Sequence, residues 1–184
     1  MTKTKKLTLS AVLTALAFAL MMLSKALPAP WLQGGSITLA SMVPIILVSV
    51  LLGTKWGLVS GFVYALIQMM TGFYPPPAPS FISLVAVIFL DYVGAFSVLG
   101  LANFFSRLLG GKPWTIPVSG AIVTGIRYIF HILSGILIWG VYAEGESVFL
   151  YSLTYNGSYM IPEIIITTVV LALIGPKLRK KLKW

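Results

Sequence analysis

Apolar runs long enough to cross a bilayer recur along this chain from end to end, and that repetition limits the fold more than any single motif does. One span of the hydrocarbon layer takes about 20 residues. Six such segments are bounded by proline, glycine and charge, at about 7–27, 37–53, 56–73, 80–106, 114–141 and 160–176. With 58% of its 184 residues hydrophobic, 9% charged and a mean hydropathy of +0.98, the chain has more apolar surface than one soluble core could hide. The predicted fold class is an all-α membrane protein: six transmembrane helices in a single integral membrane domain over residues 1–184, with lipid covering most of its surface.

The net charge of +9 would suit a nucleic-acid partner, but its placement argues for no nucleic acid. Lys3, Lys5 and Lys6 precede the first apolar run, and Lys177, Arg179, Lys180, Lys181 and Lys183 follow the last. Basic clusters flank cytoplasmic membrane ends, so both termini are expected to be cytoplasmic and the number of crossings even. Lys55 then falls in the 2/3 turn and Arg107 with Lys112 in the 4/5 turn, both inside, while Lys25, Glu144 and Glu146 fall outside. The first run continues to Leu27 without a small-residue cleavage site and reads as a retained helix rather than a signal peptide. The absence of cysteine removes disulfides, thiolate nucleophiles and iron–sulfur ligation.

The outer connections are unusual. The first, Pro28-Ala-Pro-Trp-Leu-Gln-Gly-Gly-Ser36, joins rigid prolines and Trp31 to a flexible glycine pair. That suits a loop folding over something, or equally an interfacial anchor. The second, Gly72-Phe-Tyr-Pro-Pro-Pro-Ala-Pro79, cannot be helical through its prolines and is expected to be a stiff structural connection. In the first helix Ala11, Ala15 and Ala19 share one face, which permits close approach of another helix, either from a partner or from the same chain.

Ionisable residues inside membrane spans are costly and mark functional interiors. Here they are Asp91 in segment 4, Arg127 and His131 in segment 5, and Glu163 at the outer start of segment 6. At a rise of about 1.5 Å per residue, Asp91 lies roughly 16 Å below the outer entry and His131 roughly 15 Å, so the two are placed at one level. Arg127 lies roughly 21 Å down. Arg127, His131, Gly135 and Trp139 follow at intervals of four on one helical stripe, offering a cation, an imidazole, a gap for a flat ligand and an aromatic plate. Gly135 could instead serve helix packing, and Trp139 could be an interfacial anchor. Beyond them lies an outer segment rich in Tyr and amide groups: Tyr142, Tyr151, Tyr155, Asn156 and Tyr159, ending at Pro162-Glu163.

A carboxylate among aromatics and amides suits a flat, polar, cationic heteroaromatic ligand. Asp91 would supply the counter-charge, the rings cation–π contact, and Asn156 a hydrogen-bonding edge. The alternative is an Asp91–Arg127 ion pair that holds helices 4 and 5 together. Enzyme chemistry finds no footing: one histidine, no zinc-protease pattern and no phosphate loop, hence no catalytic residues, no metal and no cofactor are expected. A stand-alone secondary carrier for a small cationic heteroaromatic solute would use Asp91 or His131 for proton coupling.

The stretch from Arg127 through His131 and Gly135 to Trp139, with Tyr151-Ser-Leu-Thr-Tyr-Asn156-Gly-Ser-Tyr159 and Pro162-Glu163, closely resembles the thiamine-specific S-components of energy-coupling-factor transporters. Pro30-Trp31-Leu-Gln-Gly-Gly35 and Leu90-Asp91-Tyr92 resemble the same family. The resemblance implies a multi-pass protein of the bacterial cell membrane that binds thiamine near its outer face and assembles with a transmembrane coupling subunit and two ATPase subunits. Carried over by position, it implies ligand contacts at Trp31, Asp91, Tyr92, His131, Gly135, Trp139, Tyr151 and Asn156, and a partner-binding motif at Ala15 and Ala19. One departure is that Asp91 stands where a member of the family has Glu, one methylene longer.

Overall fold

Hydroxyl caps and glycine breaks divide the chain into helices. In a computed structural model that describes residues 1–26 and 35–181, every regular element among the described residues is helical. We number six helices: α1 Lys3–Ser24, α2 Met42–Leu52, α3 Thr54–Gly72, α4 Phe81–Leu108, α5 Thr115–Leu137 and α6 Val148–Lys181. Four of them, α1, α4, α5 and α6, are long and apolar enough to cross a membrane, and α2 is a shorter apolar helix. The helix starts follow local chemistry. Thr2 accepts the Lys5 N–H at α1, and Ser80 with Ser83 forms a reciprocal capping box at α4.

Neighbouring helices run antiparallel. Along α5 and α6, Gly135 faces Ser152 while Gly120 faces Leu171 and Ile116 faces Gly175. α3 and α4 cross through glycine, since a Cβ added at Gly100 would strike the backbone of Gly57 and Leu58. Tyr64 is wholly buried at the centre, edge-on to Phe96 with ring centroids 5.2 Å apart. In lipid such close packing, more than hydrophobicity, drives helix association. The outward face is apolar, with Phe81 81%, Ile82 80% and Met70 86% exposed, as lipid contact requires. This topology gathers the start of α1, Lys55, Arg107 and Lys112 at one end of the bundle, and Lys25, Glu144 and Glu146 at the other.

Three boundaries differ from the sequence reading. α2 begins at Met42, leaving residues 35–41 as a non-helical arm in which Ala40 has φ 60° and the hydroxyls of Thr38 and Ser41 bond to each other. α5 ends at Leu137, and a separate 3₁₀ turn, Trp139–Tyr142, follows. The largest correction is α6: from Val148 to Tyr159 the tyrosine-rich outer segment is helical, only Tyr142 lying in the preceding 3₁₀ turn, and the helix runs unbroken through Pro162. Packing along the length of α5 sustains it.

Within α4, residues Ile88–Val93 form a π-helical turn and Val98–Leu101 a 3₁₀ turn. The wide turn carries Asp91 and Tyr92, and its Gly94 N–H reaches back to the Phe89 carbonyl. π turns inside α-helices recur at functional sites, because the extra residue changes which side chains face inward.

Candidate ligand-binding site

Between the helices, toward the end that carries Lys25 and Glu144, lies a cavity of about 490 Å³. That is within the usual size of small-molecule sites, ~300–1,000 Å³. Asp91 is the only carboxylate among the described residues that border it.

The π turn of α4 sets Asp91 against the end of α5. His131 Nδ1 lies 3.1 Å from Oδ1, the Ser134 hydroxyl donates to Oδ2 at 2.6 Å, and the Trp139 indole N–H donates to Oδ2 at 3.1 Å. The equal depth expected for Asp91 and His131 is therefore realised as a direct contact. The alternative Asp91–Arg127 ion pair is not formed among the described residues; the carboxylate meets the His131 imidazole instead. Arg127 lies instead with its guanidinium 4.3 Å from the Phe96 ring centre and Nη1 on the Met42 sulfur. His131 is 8% exposed, and with Nδ1 turned to the carboxylate its Nε2 is buried without a partner in the fold.

Aromatic rings form the upper wall. Trp139 comes from the 3₁₀ turn rather than from a continued helical stripe, and it lies between Tyr74, at 5.4 Å, and Tyr142, stacked at 6.3 Å. Tyr92 borders the cavity with its ring, while its hydroxyl accepts the Tyr74 N–H at 2.9 Å and donates to the Gly72 carbonyl at 3.1 Å. This bolts the proline-rich connection to α4. That connection is non-helical as expected, but it is more than a spacer, since Tyr74 borders the cavity.

The side formed by α6 presents Tyr151, Tyr155, Asn156 and Tyr159, at helical spacings that share one face. The Asn156 amide donates to the carbonyls of His131, at 3.2 Å, and Ser152, at 2.9 Å, and its oxygen accepts the Tyr159 hydroxyl. Gly135 borders the cavity, but the room beside it belongs to α6. A Cβ there would lie 2.7 Å from Ser152 Cβ, so its absence permits close packing of α5 on α6.

Seven of the eight expected ligand residues, Asp91, Tyr92, His131, Gly135, Trp139, Tyr151 and Asn156, thus border one cavity, while Trp31 lies outside the described residues. Sequence reasoning missed Ser134 and Tyr74. Ser134 was legible as the residue three beyond His131, on the same helical face. Ala11, Ala15 and Ala19 are all exposed, on the side opposite the buried Ser10, Thr14, Ala17, Met21 and Ser24.

A family profile described as Thiamine transporter protein (Thia_YuaJ) matches residues 7–183. The chain is 34% identical over 161 residues to "Thiamine transporter ThiT" of Bacillus subtilis (strain 168), covering 80% of each. To the protein of the same name from Lacticaseibacillus paracasei it is 31% identical over 97 residues, 46% of this chain and 47% of that relative. Its fold matches that of ThiT from Listeria monocytogenes with a TM-score of 0.75 at 20% identity, covering 98% of this chain and 97% of the other.

Proposed function

Because the chain belongs to the thiamine transporter protein family, we propose that it captures thiamine at the outer face of the bacterial plasma membrane, as the substrate-binding subunit of an ATP-driven transporter of the energy-coupling-factor type. The family is one of transport proteins and not of enzymes. The observation that carries the reading is the Asp91 carboxylate, wired to His131, Ser134 and Trp139 at the wall of an aromatic cavity. A fixed negative charge beside tyrosine and tryptophan faces suits a cationic thiazolium ring. The unpartnered Nε2 of His131 suits hydrogen bonding to an aminopyrimidine. The uncharged-tail vitamin is favoured over its phosphates, because the two cations among the described residues that border the cavity are engaged elsewhere, the Arg127 guanidinium over Phe96 and the Lys25 ammonium on the Thr71 carbonyl.

In this reading the chain is a single domain of six crossings, with both termini and the basic end of the bundle in the cytoplasm. The outward Ala15 and Ala19 meet a transmembrane coupling subunit, and two ATPase subunits supply the energy. Titrating the purified protein with thiamine while following tryptophan fluorescence tests the binding role; saturable quenching is expected, and its absence refutes the assignment. Uptake in cells without the ATPase module tests the coupling. Full uptake there would make the protein a stand-alone carrier.

A further inference from the structure

The residue with the least evident task is Glu163. It is 1% exposed, deep in α6, and does not border the cavity. Burying a carboxylate is costly unless a donor or a cation compensates it. Its Oε1 accepts the backbone N–H of Thr38, a contact that spans 125 residues of sequence. Thr38 belongs to the 35–41 arm, which supplies Gly35, Ser36, Ile37, Thr38 and Ser41 to the cavity wall. The arm has no helical ladder of its own. A further anchor is the Leu39 N–H, which donates to Ser24 Oγ at 2.7 Å, and Ser41 bonds to Tyr64 through its side chain.

We propose that Glu163 is a positioning residue: it holds the 35–41 arm in place as one wall of the cavity by accepting the Thr38 N–H, without touching the ligand. Its effect on thiamine rests on the transport reading above, whereas its effect on the arm does not. The rival explanation is that Glu163 exists to balance the charge of Arg127, with which it interacts electrostatically. The two differ in what glutamine can replace, since glutamine keeps an acceptor oxygen and loses the charge.

The chain has no cysteine, so paired spin labels can be placed at Leu39→Cys and Phe149→Cys without further changes. Both sites are exposed, and neither borders the cavity. Pulsed electron paramagnetic resonance of the labelled protein is expected to give one narrow distance population, retained in Glu163→Gln and broadened in Glu163→Leu. Thiamine affinity is expected to stay within about twofold in the Gln variant and to fall roughly tenfold or more in the Leu variant, the scale of one lost hydrogen bond to a charged group. Equal damage from Gln and Leu overturns the proposal in favour of charge balance. An unchanged distance in Glu163→Leu also overturns it. If the Leu variant does not fold, amide exchange decides: the Thr38 N–H is expected to be protected in wild type and in the Gln variant, and fast exchange in wild type overturns the tether. Failure of the labelled parent to bind thiamine would count against the transport reading and leave the distances to judge the arm.

Discussion

The indole N–H of Trp139 reaches the carboxylate of Asp91 at 3.1 Å, although the tryptophan lies beyond the last residue of α5. The same N–H is 3.1 Å from Ser134 Oγ, which in turn donates to Asp91. The charge and the aromatic plate of the cavity are thus one unit. The plate cannot turn without giving up its bond to the charge, and neutralising the charge loosens the plate.

Asp91→Asn keeps the size of the side chain and removes its charge. Thiamine binding is expected to weaken by roughly 1.5–3 kcal/mol, the worth of a charge-assisted hydrogen bond. This is a tenfold to hundredfold rise in Kd, on the order of 1.4 kcal/mol per decade. Since Arg127 does not pair with Asp91, the variant leaves no partnerless cation and is expected to remain folded. Affinity and detergent melting temperature measured on one preparation check this. Unchanged affinity in folded protein would sink charge recognition.

Trp139→Phe separates the two tasks of the indole, because phenylalanine keeps an aromatic face and lacks the N–H. It is expected to bind thiamine more weakly than wild type and more tightly than Trp139→Ala, which also loses a stacking contribution of about 0.5–1.5 kcal/mol. Trp114→Ala, 55% exposed at the start of α5, is expected to leave affinity unchanged. Isothermal titration of the three variants decides; equal losses at positions 114 and 139 would refute the location of the site.

What the sequence made legible was depth and periodicity. The rise along segments 4 and 5 placed Asp91 level with His131, and the interval of four put Gly135 on the His131 stripe, where both border the cavity. What it concealed was where the helical period changes. The π turn at Ile88–Val93 and the end of α5 at Leu137 leave no composition signal, because π and 3₁₀ turns use the same apolar residues as the helix around them. Polarity also misled at residues 148–159. Tyrosines and an asparagine fall outside the apolar spans at 114–141 and 160–176, yet on one face of a helix beside a polar cavity they are the side chains that face requires.

Gly135→Ala tests whether the glycine serves packing or access. The added methyl would press on Ser152, and overpacking of this kind costs about 1–3 kcal/mol. A lower melting temperature is expected, largely recovered in the double variant Gly135→Ala with Ser152→Gly, and a double-mutant cycle measures that coupling. If stability is unchanged while affinity collapses, the glycine makes room for ligand and the packing account fails.

The outward face of α1 carries the last prediction, which concerns coupling rather than binding. Ser10, Thr14, Ala17, Met21 and Ser24 turn inward, so Ala11, Ala15 and Ala19 are left exposed on the opposite side. Small residues at that spacing let two helix backbones come close in lipid, and a large side chain at the centre of the stripe prevents it. Ala15→Trp with Ala19→Trp is therefore expected to abolish thiamine uptake in cells that supply the coupling and ATPase subunits. The same double variant, purified alone, is expected to bind thiamine within about twofold of wild type, because surface changes away from buried groups stay near ±0.5 kcal/mol. Uptake at the normal rate would show that the partner docks elsewhere. Loss of binding as well would mean that α1 is tied to the cavity through Met21 and Ser24, which border it, more tightly than its outward alanines suggest.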